Sequence, residues 1–311
     1  MFVEKPKTDI KPMLRRDNPF DADVSYTTIV SNILARGELK ENRTSISAIT
    51  IPGAIFQHDM SLGFPLITTK KMPFKVIATE LEFFIKGLTD KYWLQSRNCH
   101  IWDEWASPAK VRYGHDEETK RKMSIERDLG PIYGFQWRHF NASYEGYNED
   151  YSGKGVDQLE NVVKKLKNDP SDRRMIVSAW NPQQIYAMAL PPCHYSFQIT
   201  VINKTIHLLW NQRSVDTMIG LPFNIASYGI LLHLLAKESN LKEGILTGFL
   251  GDVHIYQNHI EGAKKQIERD IIHELPTIKT EKFSSIFNWE ASDTTIHNYT
   301  SYPSIKFDIA V

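Results

Sequence analysis

The sequence predicts an α/β (α+β) protein built round one sizeable sheet. Stretches with helical periodicity are mixed with long runs rich in β-branched residues. The run YSFQITVINKTIHLLWNQRS (195–214) fits two strands around a turn at Asn203–Lys204. The stretch FNIASYGILLHLLAKES (223–239) is apolar nearly all round, the pattern of a helix buried in a core.

In chain order, Tyr26, Ile29, Val30, Ile33 and Leu34 share one helical face, and Gly37 is the stop signal. Residues 45–60, SISAITIPGAIFQHDM, fit two strands separated by a Pro-Gly break. In KVIATELEFFIKG, Lys75, Thr79, Glu82 and Lys86 are expected on a polar face, with Glu80 on the other side between Val76 and Phe83–Phe84. Leu159, Val162, Val163 and Leu166 mark another amphipathic helix, with Asp157 as candidate N-cap. RRMIVSAW (173–180) is expected to be a buried strand, GILTGFLGDVHIY (244–256) a further strand, and QNHIEGAKKQIER (257–269) a helix. No internal repeat or low-complexity linker interrupts the chain. The charged stretch Ser107–Asp128 has weak periodicity and is expected to be a surface insertion on a single domain, 1–311.

Composition narrows the classes of function. The 311 residues carry 37 basic and 37 acidic side chains, so no global charge points to nucleic acid or an acidic membrane. Two cysteines make no disulfide framework, and the N-terminal residues lack the apolar core of a signal peptide. No apolar run is long enough for a membrane span. A soluble, cytoplasmic protein is the expectation. GxGxxG, Walker, HExxH and CxxC patterns are missing, and no metal is expected.

Cys193 stands out because Pro191 and Pro192 stiffen the chain before it and His194 follows it. A buried cysteine is ordinarily a small hydrophobe. As a nucleophile its thiolate would need cations from elsewhere, since an adjacent strand residue such as His194 points to the opposite face. Arg43, Arg173, Arg174 and Arg213, with Ser214, could supply them, and together they suit a dianionic phosphate. Singly, each arginine is an ordinary solvated charge. Glu80 on an apolar helix face has the setting of a general acid or base, or of a structurally paired carboxylate. Asn224, expected just ahead of the core helix, suits either a cap or the edge of a neutral imide. Tyr133 and Trp102 fit core aromatics equally well. His254 and Tyr256 share a strand face. From the residues alone the protein is a thiol-dependent enzyme acting on a small phosphorylated molecule.

The motifs ALPPCHYSFQ, NQRSVDTMIGLPFNIASY, GDVHIYQNHIEGAKKQI, IWDEWA, DLGPIYGFQWRHF and NDPSDRRMIVSAWNP strongly resemble the folate-dependent thymidylate synthases, from about Tyr26 to Val311. The resemblance implies that family's fold: a large mixed β-sheet flanked by helices, with one sheet face forming a homodimer interface. The chain's length is expected to leave no room for a fused reductase domain. The implied reaction is methylation of dUMP to dTMP, with 5,10-methylenetetrahydrofolate as co-substrate and no nucleic acid required. By motif, Cys193 would add to C6 of the uracil, making C5 nucleophilic. Glu80, Tyr133 and His194 would organise water and proton transfer, while Asn224 would select uracil over cytosine. Arg43, Arg213 and Ser214 match phosphate ligands, and Arg173 and Arg174 match a pair that reaches into the partner's site. Gln212 and Asp216 match groups near the base and folate, and His254 and Tyr256 match ligands of the deoxyribose hydroxyl. Ile101, Trp102, Asp216 and Val311 would line the folate site, Val311 as part of a closing lid.

Some positions depart from the family pattern. Asn211 stands where an aromatic usually precedes QRS, RTSISA replaces a glycine-bearing loop at Arg43, and Phe83 replaces a frequent tryptophan. They leave two rivals. One is a dUMP hydroxymethylase of the same fold, in which water captures the methylene, and Asn211 gives it some room. The other is an idle nucleotide- or RNA-binding relative. Trp102 and the intact tail count against the first, and the full set of reacting groups counts against the second.

Overall fold

The computed structural model describes residues 16–42 and 46–308. Arg43 and Val311 therefore lie outside the described residues. The strands are β1 (Glu38–Lys40), β2 (Ala48–Ile51), β3 (Ala54–Asp59), β4 (Ile176–Ser178), β5 (His194–Ile202), β6 (Thr205–Asp216), β7 (Lys242–Tyr256), β8 (Thr277–Thr280) and β9 (Thr294–His297). The helices are α1 (Ala22–Arg36), α2 (Phe74–Ile85), α3 (Lys91–Gln95), α4 (Glu117–Ile125), α5 (Tyr133–His139), α6 (Gln158–Asn168), α7 (Gly220–Ser239) and α8 (Ile260–Ile267).

The main sheet runs β1-β2-β7-β6-β5-β4, with β3 also on β7. Its β6–β7 pairing is parallel and every other pairing in it is antiparallel, so the sheet is mixed, as predicted. The β5–β6 hairpin turns at Asn203–Lys204, both with positive φ (50° and 60°), the twist that suits a two-residue hairpin loop. β2 and β3 take successive stretches of the long β7 on either side of the Pro52–Gly53 break. Helix α7 is buried on almost every side and lies on the sheet, with α2 packed between α7 and α5. One hydrophobic cluster joins residues from Ala22 to Trp289.

Capping sets the element ends. Asp21 accepts from the backbone N–H groups of Asp23 and Val24 at the start of α1, and Asp157 accepts from Glu160 at the start of α6, as expected. Gly37 closes α1. Three expectations need correction. The RRMIVSAW strand is a three-residue edge strand with only Val177 of its three residues buried, because no strand among the described residues pairs with β4 on its outer side. Thr79 and Glu82 of α2 are buried. Glu82 pairs with Lys86 and accepts from the Ala291 N–H at 2.8 Å, so this face of α2 meets another segment, not solvent. Asn224 lies inside α7, beyond its first turn, and does not cap it. The Ser107–Asp128 stretch is exposed or half-buried except at Ser107, Met123 and Asp128. It forms α4 and is tied down at 2.7 Å by Lys91 Nζ on the Met123 carbonyl.

Candidate active site

The two prolines explain how Cys193 is held. Neither has an N–H to donate, but each keeps a carbonyl that can accept. Arg213 fills both, Nε on the Pro192 carbonyl at 2.9 Å and Nη2 on the Pro191 carbonyl at 2.7 Å. The Arg213 backbone N–H also donates to the Cys193 carbonyl at 2.8 Å, and Tyr133 Oη accepts the Cys193 N–H at 2.8 Å. Cys193 is thus fixed by its own main chain on both sides. Arg213 Nη2 comes within 3.9 Å of its sulfur, placing a cation beside the nucleophile. The β5–β6 register shifts between His194 and Ser196, a bulge immediately after the cysteine. His194 turns the other way, toward α7, where its Nδ1 meets Tyr228 Oη at 3.0 Å.

Glu80 sits on the inner side of α2 and accepts from Trp102 Nε1 at 2.8 Å. Burial raises its carboxyl pKa to about 7, and the Trp102 bond only partly offsets this. The group therefore exchanges a proton near neutrality, as a general acid or base must. Phe84, one turn along α2, stacks on Tyr133 at 4.9 Å and meets Trp102 edge-on at 6.4 Å. Desolvation lifts the Tyr133 phenol well above its ordinary range, so it remains a donor. Burial lowers His194 to about 3, so its imidazole is neutral at physiological pH.

Further along β6, Gln212 Nε2 donates to Asn224 Oδ1 at 3.0 Å and to the Ser214 carbonyl at 3.1 Å. Asp216 Oδ1 accepts from the Met218 and Ile219 N–H groups and so starts the turn into α7. His254 pairs with Asp216 in the β6–β7 register and packs edge-on against Tyr256 at 5.1 Å. Its Nδ1 lies 2.9 Å from Asp252, which also binds Lys40. Ile101 and Trp102 lie on the turn after α3, with Trp102 buried against the aromatic wall.

Arg173 and Arg174 are not brought to Cys193. They are exposed ahead of edge strand β4, where Arg174 pairs with Asp172 at 3.0 Å. Sequence reasoning passed over Tyr228, took Phe84 only for an apolar neighbour of Glu80, and passed over Trp210. The first two have a legible signal: Tyr228 follows Asn224 by four residues on one helix face, as Phe84 follows Glu80. Asn211 donates to Ser196 Oγ at 3.1 Å, a cross-strand bond made while its neighbour Gln212 faces Asn224. This departure from the family pattern therefore touches the sheet and not the reacting groups.

Residues 24–311 match the family described as thymidylate synthase. The chain belongs to the thymidylate synthase family. It is 39% identical to the human thymidylate synthase over 313 residues, covering 99% of this chain and 98% of that one. It is also similar to bifunctional dihydrofolate reductase-thymidylate synthases. That of Paramecium tetraurelia is 39% identical over 286 residues and that of Leishmania major 40% over 290. The chain spans 61% and 55% of these two relatives, with 92% of its own length aligned in each case. Membership is consistent with the mixed sheet.

Proposed function

We propose that the chain catalyses the reductive methylation of dUMP to dTMP with 5,10-methylenetetrahydrofolate as carbon and hydride donor. The observation that carries this reading is the anchoring of Cys193 by Tyr133 and Arg213, facing a wall that holds a carboxyl titrating near 7. The donor set suits a folate: the flat rings of Trp102 and Tyr133 lie beside Glu80, and Ile101 adds apolar surface. When bound, the folate supplies the one-carbon unit and the hydride.

The protein's own residues do the rest. The Cys193 thiolate adds to C6 of the uracil, and the electron pair displaced from the C5–C6 bond makes C5 nucleophilic. Arg213 and Ser214 stand where the nucleotide phosphate would be met, with Arg43 as a third proposed ligand. Asn224, backed by Gln212, faces the pyrimidine edge. Glu80 passes protons through water, and Tyr133 takes part in removing the C5 proton. Neutral His194 orders water without adding charge. His254 and Tyr256 hold the deoxyribose hydroxyl, while Asp216, Ile101, Trp102 and Val311 border the folate.

The chain acts as one domain, and a homodimer completes the site. Arg173 and Arg174, exposed in their own chain, are the pair offered to the partner's phosphate. The sheet face bearing Ile55, Phe249, Ile202 and Ile176, each 42–57% exposed, is the surface we assign to that contact. Among the described residues no helix is long and apolar enough to cross a membrane. A thiol nucleophile suits a reducing cytoplasm. The hydroxymethylase and idle-binder readings have no observation of their own in their favour.

Replacing Cys193 tests the reading. Cys193→Ser is expected to lower kcat at least about 10⁴-fold, because the weak serine nucleophile has no partnered base, while dUMP binding by calorimetry persists. A variant that still turned over at the wild-type rate would refute the thiol mechanism.

A further inference from the structure

The Asn224 carboxamide raises a problem of symmetry. Uracil offers an acceptor (O4) beside a donor (N3–H), and cytosine offers a donor (the 4-amino group) beside an acceptor (N3). An asparagine pairs with the first in one orientation and, rotated half a turn, pairs as well with the second. An asparagine by itself therefore does not choose between them. Some other group has to hold its oxygen on one side.

We propose that Trp210 is the residue that sets this choice: its indole N–H fixes the Gln212 carboxamide, which in turn fixes the carboxamide of Asn224. The inference rests on the dUMP reading above. An indole N–H only donates, and a backbone carbonyl only accepts. Gln212 lies between one of each. Its Oε1 takes the Trp210 Nε1 proton at 3.1 Å, and its Nε2 gives one proton to the Ser214 carbonyl at 3.1 Å. Its second Nε2 proton goes to Asn224 Oδ1 at 3.0 Å. Turning Gln212 over would set its amide protons against the indole N–H and its oxygen against the Ser214 carbonyl. Both contacts would be lost inside a site where Gln212 is 3% exposed and Trp210 fully buried. Held this way, Gln212 permits only the Asn224 orientation that turns oxygen toward it, leaving the Nδ2 protons for O4 of uracil.

The fold builds this relay from matched spacings. Trp210 and Gln212 are two apart on β6 and so share its inner face. Asn224 and Tyr228 are four apart on α7 and so share the face above it. Two strand residues rise roughly 6.6 Å and four helical residues about 6 Å, so each strand side chain meets one helix side chain. Trp210 stacks on Tyr228 at 5.2 Å, nearly parallel, as Gln212 meets Asn224. Gly248, opposite Trp210 in the parallel β7 register, makes the room: a Cβ there would collide with the indole ring. The same stack ends at His194 through Tyr228 Oη, so the indole also supports the water-ordering side of the cleft.

Competition binding of dUMP against dCMP tests the role. Trp210→Phe keeps a ring against Tyr228 but removes the N–H, and the dUMP-over-dCMP preference is expected to fall about tenfold or more. Gly248→Ala, which displaces the indole while leaving it in the chain, should move the ratio in the same direction. Gln212→Glu, which cannot donate to Asn224, should reverse the preference toward dCMP. A merely structural tryptophan would weaken both nucleotides equally and leave the ratio alone. If either the Trp210 or the Gly248 variant, shown folded by circular dichroism, keeps the wild-type ratio, the proposal is overturned. Failure of the wild-type protein to bind dUMP would sink the dUMP reading, and this role with it.

Discussion

Glu80 shows how one side chain takes its chemistry from burial. Its folded pKa of about 7 lies above the 4.5 of an ordinary glutamate, so the folded protein keeps a proton that the unfolded chain has already released. A raised carboxyl pKa is harmless below about 4.5 and costs stability progressively as pH rises toward 7. Glu80→Gln is therefore expected to unfold at higher denaturant than the wild type at pH 8, by on the order of 1–3 kcal/mol, with no gain at pH 4. The same variant should lose at least about a hundredfold in kcat. Equal unfolding midpoints at both pH values would mean that desolvation is not what perturbs the group. Glu80 was legible in the sequence because helical periodicity put a carboxylate among Val76, Phe83 and Phe84. The burial of Glu82 was not, because its partner is the backbone N–H of Ala291, 209 residues further on. A main-chain donor leaves no mark on sequence pattern.

The same limit applies to whole elements. The β5–β6 hairpin and α7 follow from local signals, an Asn-Lys turn between β-branched runs and an apolar helix, and both appear as predicted. The insertion did not announce its anchoring, because one of its anchors is a lysine that bonds main-chain carbonyls, Met123 inside the insertion and Asp103 and Trp105 ahead of it. Lys91, 1% exposed, donates to Asp103, Trp105 and Met123 at 3.0, 2.9 and 2.7 Å, using all three ammonium protons. These bonds join α3, the turn carrying Trp102 and helix α4. Lys91→Met keeps the stem but leaves the carbonyls unmet, each a buried acceptor without its donor. Amide exchange across residues 103–125 should accelerate at least about tenfold in that variant while β5 and β6 keep their protection. Unchanged exchange in the insertion would show that Lys91 does not hold it.

At the scale of the molecule, one sheet face exposes Ile55, Phe249, Ile202 and Ile176 among polar neighbours, and Arg173 and Arg174 are exposed beside edge strand β4. Motif order in the sequence matched the family over nearly the whole chain, but no single-chain pattern shows which surface meets a partner. The open face should be that surface. Phe249→Asp, an ionised group at its centre, is expected to give monomers in sedimentation and to weaken dUMP binding at least about tenfold, because Arg173 and Arg174 of the second chain are then missing. A monomeric variant that bound dUMP as tightly as the wild type would mean that each site is complete in one chain. The most direct test of the central claim is to incubate the purified protein with dUMP and 5,10-methylenetetrahydrofolate. Dihydrofolate is followed by absorbance and the nucleotide by mass. Dihydrofolate forming in step with dTMP is the predicted result. Hydroxymethyl-dUMP with tetrahydrofolate, or no product despite tight dUMP binding, would contradict it.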